Sequence, residues 1–161
     1  MRELGARLAG LLRPGDLIVL AGPLGAGKTT LVQGIGAGLA VRGPVTSPTF
    51  VIARVHPSLV GGPDLVHADA YRLGSRLEVD DLDLEADLDH AVTVVEWGEG
   101  LFEYLTAGHL RITIGRDESG PAGSPPEAGR DEPRLVTVAG YGGRWPAMKG
   151  QLREVITQPA C

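Results

Sequence analysis

The chain predicts a three-layer α/β domain of the P-loop NTPase kind, built on a mixed parallel and antiparallel central sheet, and three patterns carry that expectation. The apolar run Leu17-Ile18-Val19-Leu20-Ala21 leads directly into a glycine-rich stretch, and a helical period of apolar residues follows it. Two further strand-like runs, 50–55 and 64–68, are separated only by a Pro- and Gly-containing turn. That turn makes them an antiparallel ribbon rather than a right-handed crossover through a helix. A short continuous apolar run at 91–95 suits a central strand buried on both faces.

Taken in order, residues 1–12 place Leu4, Leu8, Leu11 and Leu12 on one helical face, and Arg13-Pro14-Gly15-Asp16 turns the chain into the strand 17–21. Residues 30–40 read as a helix with Leu31, Ile35 and Leu39 at intervals of four. Gly34, Gly36 and Gly38 each lower its intrinsic stability by up to ~1 kcal/mol, so packing on the sheet is expected to hold it. After the ribbon, Leu77, Leu84 and Leu88 mark one side of an acidic helix. The strand 91–95 follows, then a short helical piece at 101–105 and a strand pair at 109–114 and 134–139. Residues 145–156 close the chain as a helix. The intervening 115–133, rich in Gly, Pro and charge, has little apolar area to offset the entropy of ordering, and it reads as a mobile loop.

The glycine-rich stretch, Gly22-Pro23-Leu24-Gly25-Ala26-Gly27-Lys28-Thr29-Thr30, matches G-x-x-x-x-G-K-[ST] between a strand and a helix, as a phosphate-binding loop requires. With 24 glycines and only two lysines in 161 residues, a chance match has a probability of about 0.004. A polyphosphate needs a concave set of backbone N–H donors, and glycine lets the chain turn where a Cβ would collide. Leu24, Gly25, Ala26, Gly27, Lys28, Thr29 and Thr30 therefore read as the nucleotide site. Lys28 supplies charge to the β- and γ-phosphates, Thr29 offers its hydroxyl to Mg²⁺, and the helix beginning near Lys28 aims its positive end at the anion.

A length of 161 residues bounds this to one domain, 1–161. The net charge of −5 argues against a nucleic-acid footprint over the surface as a whole. A lone cysteine, Cys161, leaves no disulfide framework and fits a reducing, cytoplasmic setting. No apolar run approaches the length of a membrane helix, so no membrane partner is expected.

Hydrolysis of a bound nucleotide also needs Mg²⁺ held by an acid and a positioned water. Glu96 ends the run Val92-Thr93-Val94-Val95, a Walker-B-like place for a metal ligand, and Asp69 ends Leu65-Val66-His67-Ala68, where it would complete the metal shell or orient water. The acidic run 78–89 fails as a calcium loop. Counting from Asp81 puts Ala86 where glycine is required and Val92 where the bidentate Glu belongs. His56, His67, His90 and His109 show no ligand spacing and receive no role. Guanine recognition through an Asn-Lys-x-Asp box is impossible in a chain without asparagine.

Four motifs in order, Gly25-Ala26-Gly27-Lys28-Thr29-Thr30, Ser47-Pro48-Thr49-Phe50, His67-Ala68-Asp69-Ala70-Tyr71-Arg72-Leu73 and Val95-Glu96-Trp97, together resemble the TsaE family over about residues 10–115. That resemblance implies an ATP-binding, Mg²⁺-dependent ATPase that is weak alone. It would act with the TsaD and TsaB proteins, and through them on tRNA, in N6-threonylcarbamoyladenosine formation at A37. It further implies that Leu24 to Thr29 hold the phosphates and that Thr29 and Glu96 hold Mg²⁺. Ser47-Pro48-Thr49 would be a switch-like loop near the γ-phosphate, Asp69 the essential acid, and Trp97 a neighbour of the metal ligand. Where the family often has Pro after that tryptophan, this chain has Gly98. The family also carries about a dozen further residues ahead of the first helix, so no adenine contacts are assigned.

The expected chemistry is attack by water on the γ-phosphate, with Lys28 and Mg²⁺ neutralising charge and Asp69 or Thr49 orienting the nucleophile. Two other readings share the loop. A small-molecule P-loop kinase would need an acceptor pocket and an Arg-rich lid, and a non-hydrolysing nucleotide-dependent switch would need only binding.

Overall fold

The computed structural model describes residues 1–49, 52–116 and 134–157. Its elements in chain order are α1 (Arg2–Ala9), β1 (Leu17–Ala21), α2 (Lys28–Gly38), β2 (Ala53–His56), β3 (Asp64–Asp69), α3 (Arg76–Asp80), α4 (Glu85–Leu88), β4 (Ala91–Glu96), β5 (Gly108–Arg116), β6 (Arg134–Gly142) and α5 (Lys149–Thr157). Single 3₁₀ turns at Glu103–Leu105 and Trp145–Met148 precede β5 and α5. The strands form one six-stranded sheet in the order β2-β3-β4-β1-β5-β6. The inner four run parallel, while β2 and β6 pair antiparallel at the two edges.

Strand alternation divides the apolar side chains into two cores. Ile18 and Leu20 of β1 face Leu31, Val32 and Ile35 of α2, and α1, Trp145 and Leu152 join that layer. Leu17 and Val19 face the other way, towards Val79, Leu84 and Phe102. All of β1 and β4 is buried, which is why both read as unbroken apolar runs rather than alternating ones.

The glycines of α2 serve a close helix crossing as well as the sheet contact. A Cβ on Gly34 would lie 2.0 Å from the Arg2 carbonyl oxygen, and one on Gly5 would lie 2.2 Å from that of Leu31, so α1 and α2 touch backbone to backbone. Three glycines cost the helix roughly 3 kcal/mol in propensity, whereas burying Leu31, Val32 and Ile35 completely contributes roughly 6 kcal/mol. Packing prevails.

Three expectations shift. Of the ribbon's first strand, expected at 50–55, Ala53–His56 forms β2 and Ile52 before it takes a left-handed backbone (φ 75°) that turns the chain; residues 50 and 51 lie outside the described ones. The single acidic helix divides into α3 and α4, broken by Asp83 at φ 49°. Val79, not Leu77, then fills the core, and Leu77 is 76% exposed. Gly115 and Arg116 extend β5, and the remainder of the loop expected at 115–133 lies outside the described residues.

A polar clasp joins the beginning of the chain to its end. Arg144 donates from Nε and Nη2 to the two carboxylate oxygens of buried Asp16 at 3.0 and 2.5 Å, and Nη2 also reaches the Leu11 carbonyl at 2.6 Å. Such bidentate pairing is the strong form of an arginine–carboxylate bond.

Candidate functional site

β1, β3 and β4 end side by side, and everything polar at the site sits on or beside those ends. The chain leaves β1 through the loop and enters α2 at Gly27, the residue capping that helix, whose φ of 105° is open to glycine and strained for other residues. The first-turn N–H groups of α2 therefore face the loop's concavity without an internal partner, as an anion site needs. Lys28, 4% exposed, folds back so that Nζ donates to the carbonyls of Gly22 (2.7 Å) and Pro23 (2.9 Å). Its ammonium also lies 3.7 Å from the centroid of the Trp97 ring. Burial holds this ammonium below the ordinary lysine range, with Glu96 and Asp69 pulling the other way.

Asp69 and Glu96 are register partners at the ends of parallel β3 and β4, so the pairing itself sets two carboxylates beside the loop. Both are buried, at 4% and 3% exposure. Buried carboxylates need donors. The Thr29 hydroxyl donates to Glu96, at 2.9 Å from Oε1 and 3.1 Å from Oε2. Asp69 Oδ2 accepts from Thr49 (2.6 Å) and Ser47 (3.1 Å), while Oδ1 accepts the Tyr71 amide at 3.0 Å. Ile52 links Pro48 to Asp69 through its backbone: its N–H donates to the Pro48 carbonyl at 2.7 Å, and its carbonyl accepts the Asp69 N–H at 2.8 Å.

Trp97 follows Glu96 with a left-handed φ of 61°, an uncommon backbone for an aromatic residue, and the turn carries its ring over Lys28 and edge-on to Tyr71. Gly98 suits the bend beneath. A Cβ there would lie 2.6 Å from a methyl of Val95.

Residues 24–30, Ser47, Thr49, Asp69, Glu96 and Trp97 line one cleft of about 330 Å³. The structure thus brings every residue assigned to the site from sequence into a single space. A larger cleft of about 680 Å³ between β6 and α5 is mostly apolar and lies away from these groups, so cavity size is a poor guide here. Among the described residues lining the smaller cleft, Lys28 is the only cation.

The oxygen donors of Thr29 and Glu96 fit Mg²⁺, a hard cation that takes one or two protein ligands and completes its shell with phosphate and water. The described residues hold no group of three or more His, Cys, Asp or Glu that would form an all-protein cage.

One residue given no role in the sequence belongs here. His67 is completely buried, and its Nε2 stands 2.9 Å from Glu96 Oε1. The signal was available, since a period of two along β3 puts His67 on the same face as Asp69.

The chain is similar to known proteins. The family model described as "Threonylcarbamoyl adenosine biosynthesis protein TsaE" matches residues 1–122. A Streptomyces coelicolor protein named tRNA threonylcarbamoyladenosine biosynthesis protein TsaE is 61% identical over 146 residues, covering 90% of this chain and 93% of that one. Proteins of the same name from Mycobacterium tuberculosis and Bacillus subtilis are 52% identical over 120 residues (70% of this chain, 71% of theirs) and 36% identical over 138 residues (85% and 77%). The crystal structure of Bacillus subtilis YdiB superposes with a TM-score of 0.65 at 29% identity, over 95% of this chain and 86% of that one. With the family model spanning most of the chain and relatives this similar along nearly its whole length, the chain belongs to the TsaE family.

Proposed function

We propose that this protein is an ATP-binding, Mg²⁺-dependent ATPase serving tRNA threonylcarbamoyladenosine biosynthesis in the cytoplasm, acting with the TsaD and TsaB proteins and reaching tRNA only through them. The names of its relatives support the pathway. The observation that supports the chemistry is the convergence of Lys28, Thr29, Asp69 and Glu96 on one cleft at the ends of parallel strands.

Lys28 rests on carbonyls of its own loop and on an indole face, partners that a polyphosphate's oxygens outbid for a cation. The backbone amides of the loop and of α2's first turn bind the phosphate oxygens, and Lys28 counters charge as it develops on them. Thr29 and Glu96 are the residues that would hold Mg²⁺, and the metal would offset negative charge on the phosphates. Thr49 and Asp69, bonded to each other at 2.6 Å, would orient the attacking water, with the Asp69 carboxylate as acceptor for its proton. The cleft's described lining contains no arginine, so turnover is slow until a partner supplies the missing charge. No described helix is long and apolar enough to cross a membrane.

The test is ATP turnover by wild type, Lys28→Ala and Glu96→Ala, alone and with the TsaD and TsaB proteins. The wild type is expected to be slow alone and faster in the complex, with both variants reduced about a hundredfold or more. Unchanged rates in both variants defeat the proposal. Phosphate release at background alongside partner affinity that differs between ATP and ADP would replace it with a non-hydrolysing switch.

A further inference from the structure

We infer that His67 is a positioning residue for Glu96: its imidazole, seated within the sheet beneath the cleft, donates from Nε2 to Oε1 and holds the carboxylate so that Oε2 is turned towards the metal. The inference rests on the ATPase reading, because it takes Glu96 as a metal ligand.

The topology brings the two side chains within reach. His67 and Asp69 share one face of β3, and Val94 and Glu96 share that face of β4. Since His67 pairs with Val94 and Asp69 with Glu96, the imidazole stands diagonally beneath the Glu96 carboxylate. Both side chains are out of water, at 0% and 4% exposure. A Glu carboxylate turns easily about its last torsion, which is broad and roughly two-fold. A hydrogen bond from Thr29 alone leaves that rotation soft, since the hydroxyl reaches both oxygens, at 2.9 and 3.1 Å. The ring of His67, anchored in a central strand, reaches Oε1 alone at 2.9 Å. Oε1 then carries two bonds near 2.9 Å, and Oε2 keeps only the longer bond to Thr29.

The second ring nitrogen supports the same assignment. His67 Nδ1 is buried without a hydrogen-bond partner. A proton there would be an orphaned buried donor, which is costlier than a bare lone pair in the same place. The proton therefore sits on Nε2, facing the carboxylate. This is the arrangement by which an outer partner orients a metal ligand.

The experiment combines a spectroscopic and a binding measurement. A long-range ¹H–¹⁵N correlation on labelled wild-type protein without nucleotide should show the His67 ring protonated at Nε2 and bare at Nδ1; a ring protonated at Nδ1 overturns the inference. Mn²⁺ affinity in the presence of ADP, read by electron paramagnetic resonance, is compared for wild type, His67→Leu and His67→Gln. The glutamine amide nitrogen falls near the position of Nε2 and restores the donor. Leucine should weaken Mn²⁺ about 10- to 100-fold, glutamine should recover most of that, and ADP affinity in EDTA should be the same in all three. Wild-type Mn²⁺ affinity in His67→Leu, or no recovery in His67→Gln, overturns the positioning role, because a merely structural histidine would change stability and leave metal affinity alone. If leucine does not fold, His67→Asn, too short to reach Oε1, replaces it. Should wild type bind neither ADP nor Mn²⁺, the ATPase reading fails, and the ring spectrum still decides the His67–Glu96 contact.

Discussion

Replacing Gly34 by alanine sets two well-known effects against each other, and the structure says which prevails. In an exposed helix the change would stabilise by about 1 kcal/mol, through helix propensity and a less floppy unfolded chain. Here the new Cβ would meet the Arg2 carbonyl oxygen at 2.0 Å, the carbonyl carbon behind it at 2.8 Å and Gly5 Cα at 3.0 Å. All three are backbone atoms, so no rotamer relieves the contact. The helices must part by about 1 Å, and gaps of that size forfeit a quarter to a half of the dispersion along the seam. Overpacking of this kind costs about 3 kcal/mol, leaving a net loss of about 2 kcal/mol and a melting temperature lower by roughly 4–8 °C for a domain of this size. Gly150 is the control, because a Cβ there meets nothing within 4 Å. Alanine at that exposed position in α5 should raise stability by about 0.5 kcal/mol. Urea unfolding of the three proteins at matched conditions measures both shifts. A Gly34→Ala midpoint at or above wild type would refute the backbone-to-backbone crossing of α1 and α2.

Three further outcomes are expected. Arg144→Ala leaves Asp16 buried without its bidentate partner and should cost about 3 kcal/mol in urea unfolding; a change within about 0.5 kcal/mol, the range of ordinary surface substitutions, would mean the clasp is idle. Thr29→Ser keeps the hydroxyl and should keep metal-dependent ADP binding, whereas Thr29→Ala should lose about tenfold in Mn²⁺ affinity by the same resonance assay; equal affinities would remove Thr29 from the metal site. His56 has its pKa held below the ordinary 6.5 by burial, against a weaker opposing pull from the Arg42 carbonyl at 3.4 Å. The unfolded chain therefore takes up the proton first, so this residue's contribution to stability is complete above pH 6.5 and is lost as pH falls towards the lowered folded value. Melting at pH 7.5 and pH 5 should show a smaller acid loss in His56→Gln than in wild type, and identical losses would contradict it.

Much of this architecture was readable in the residues because local patterns and their neighbours agreed. The phosphate loop needed a strand before it and a helix after it, and both are spelled by adjacent residues. The antiparallel ribbon followed from a turn too short to hold a helix, and the buried strand from an unbroken apolar run. Harder to read were contacts between distant segments. Asp16 and Arg144 lie 128 positions apart, and neither carries a mark of the other. The glycines of α2 looked like a weakness, because periodicity tells which face is apolar but not how closely a partner helix approaches it. Leu77 satisfied a helical period that Asp83 interrupts. His67 has no ligand spacing to the other histidines, and its companion, a glutamate on the neighbouring strand, lies 29 positions away in sequence.

The cation resting on Trp97 turns one ring into an optical gauge. The chain has only two tryptophans, and the other, Trp145, is buried in the opposite layer with the Arg144 guanidinium beside it. An ammonium against an indole perturbs its excited state, so an anion that draws Lys28 away changes the emission of Trp97 while Trp145 stays constant. Stopped-flow fluorescence can therefore time the arrival and departure of a nucleotide with no dye attached, and Trp97→Phe supplies the silent background.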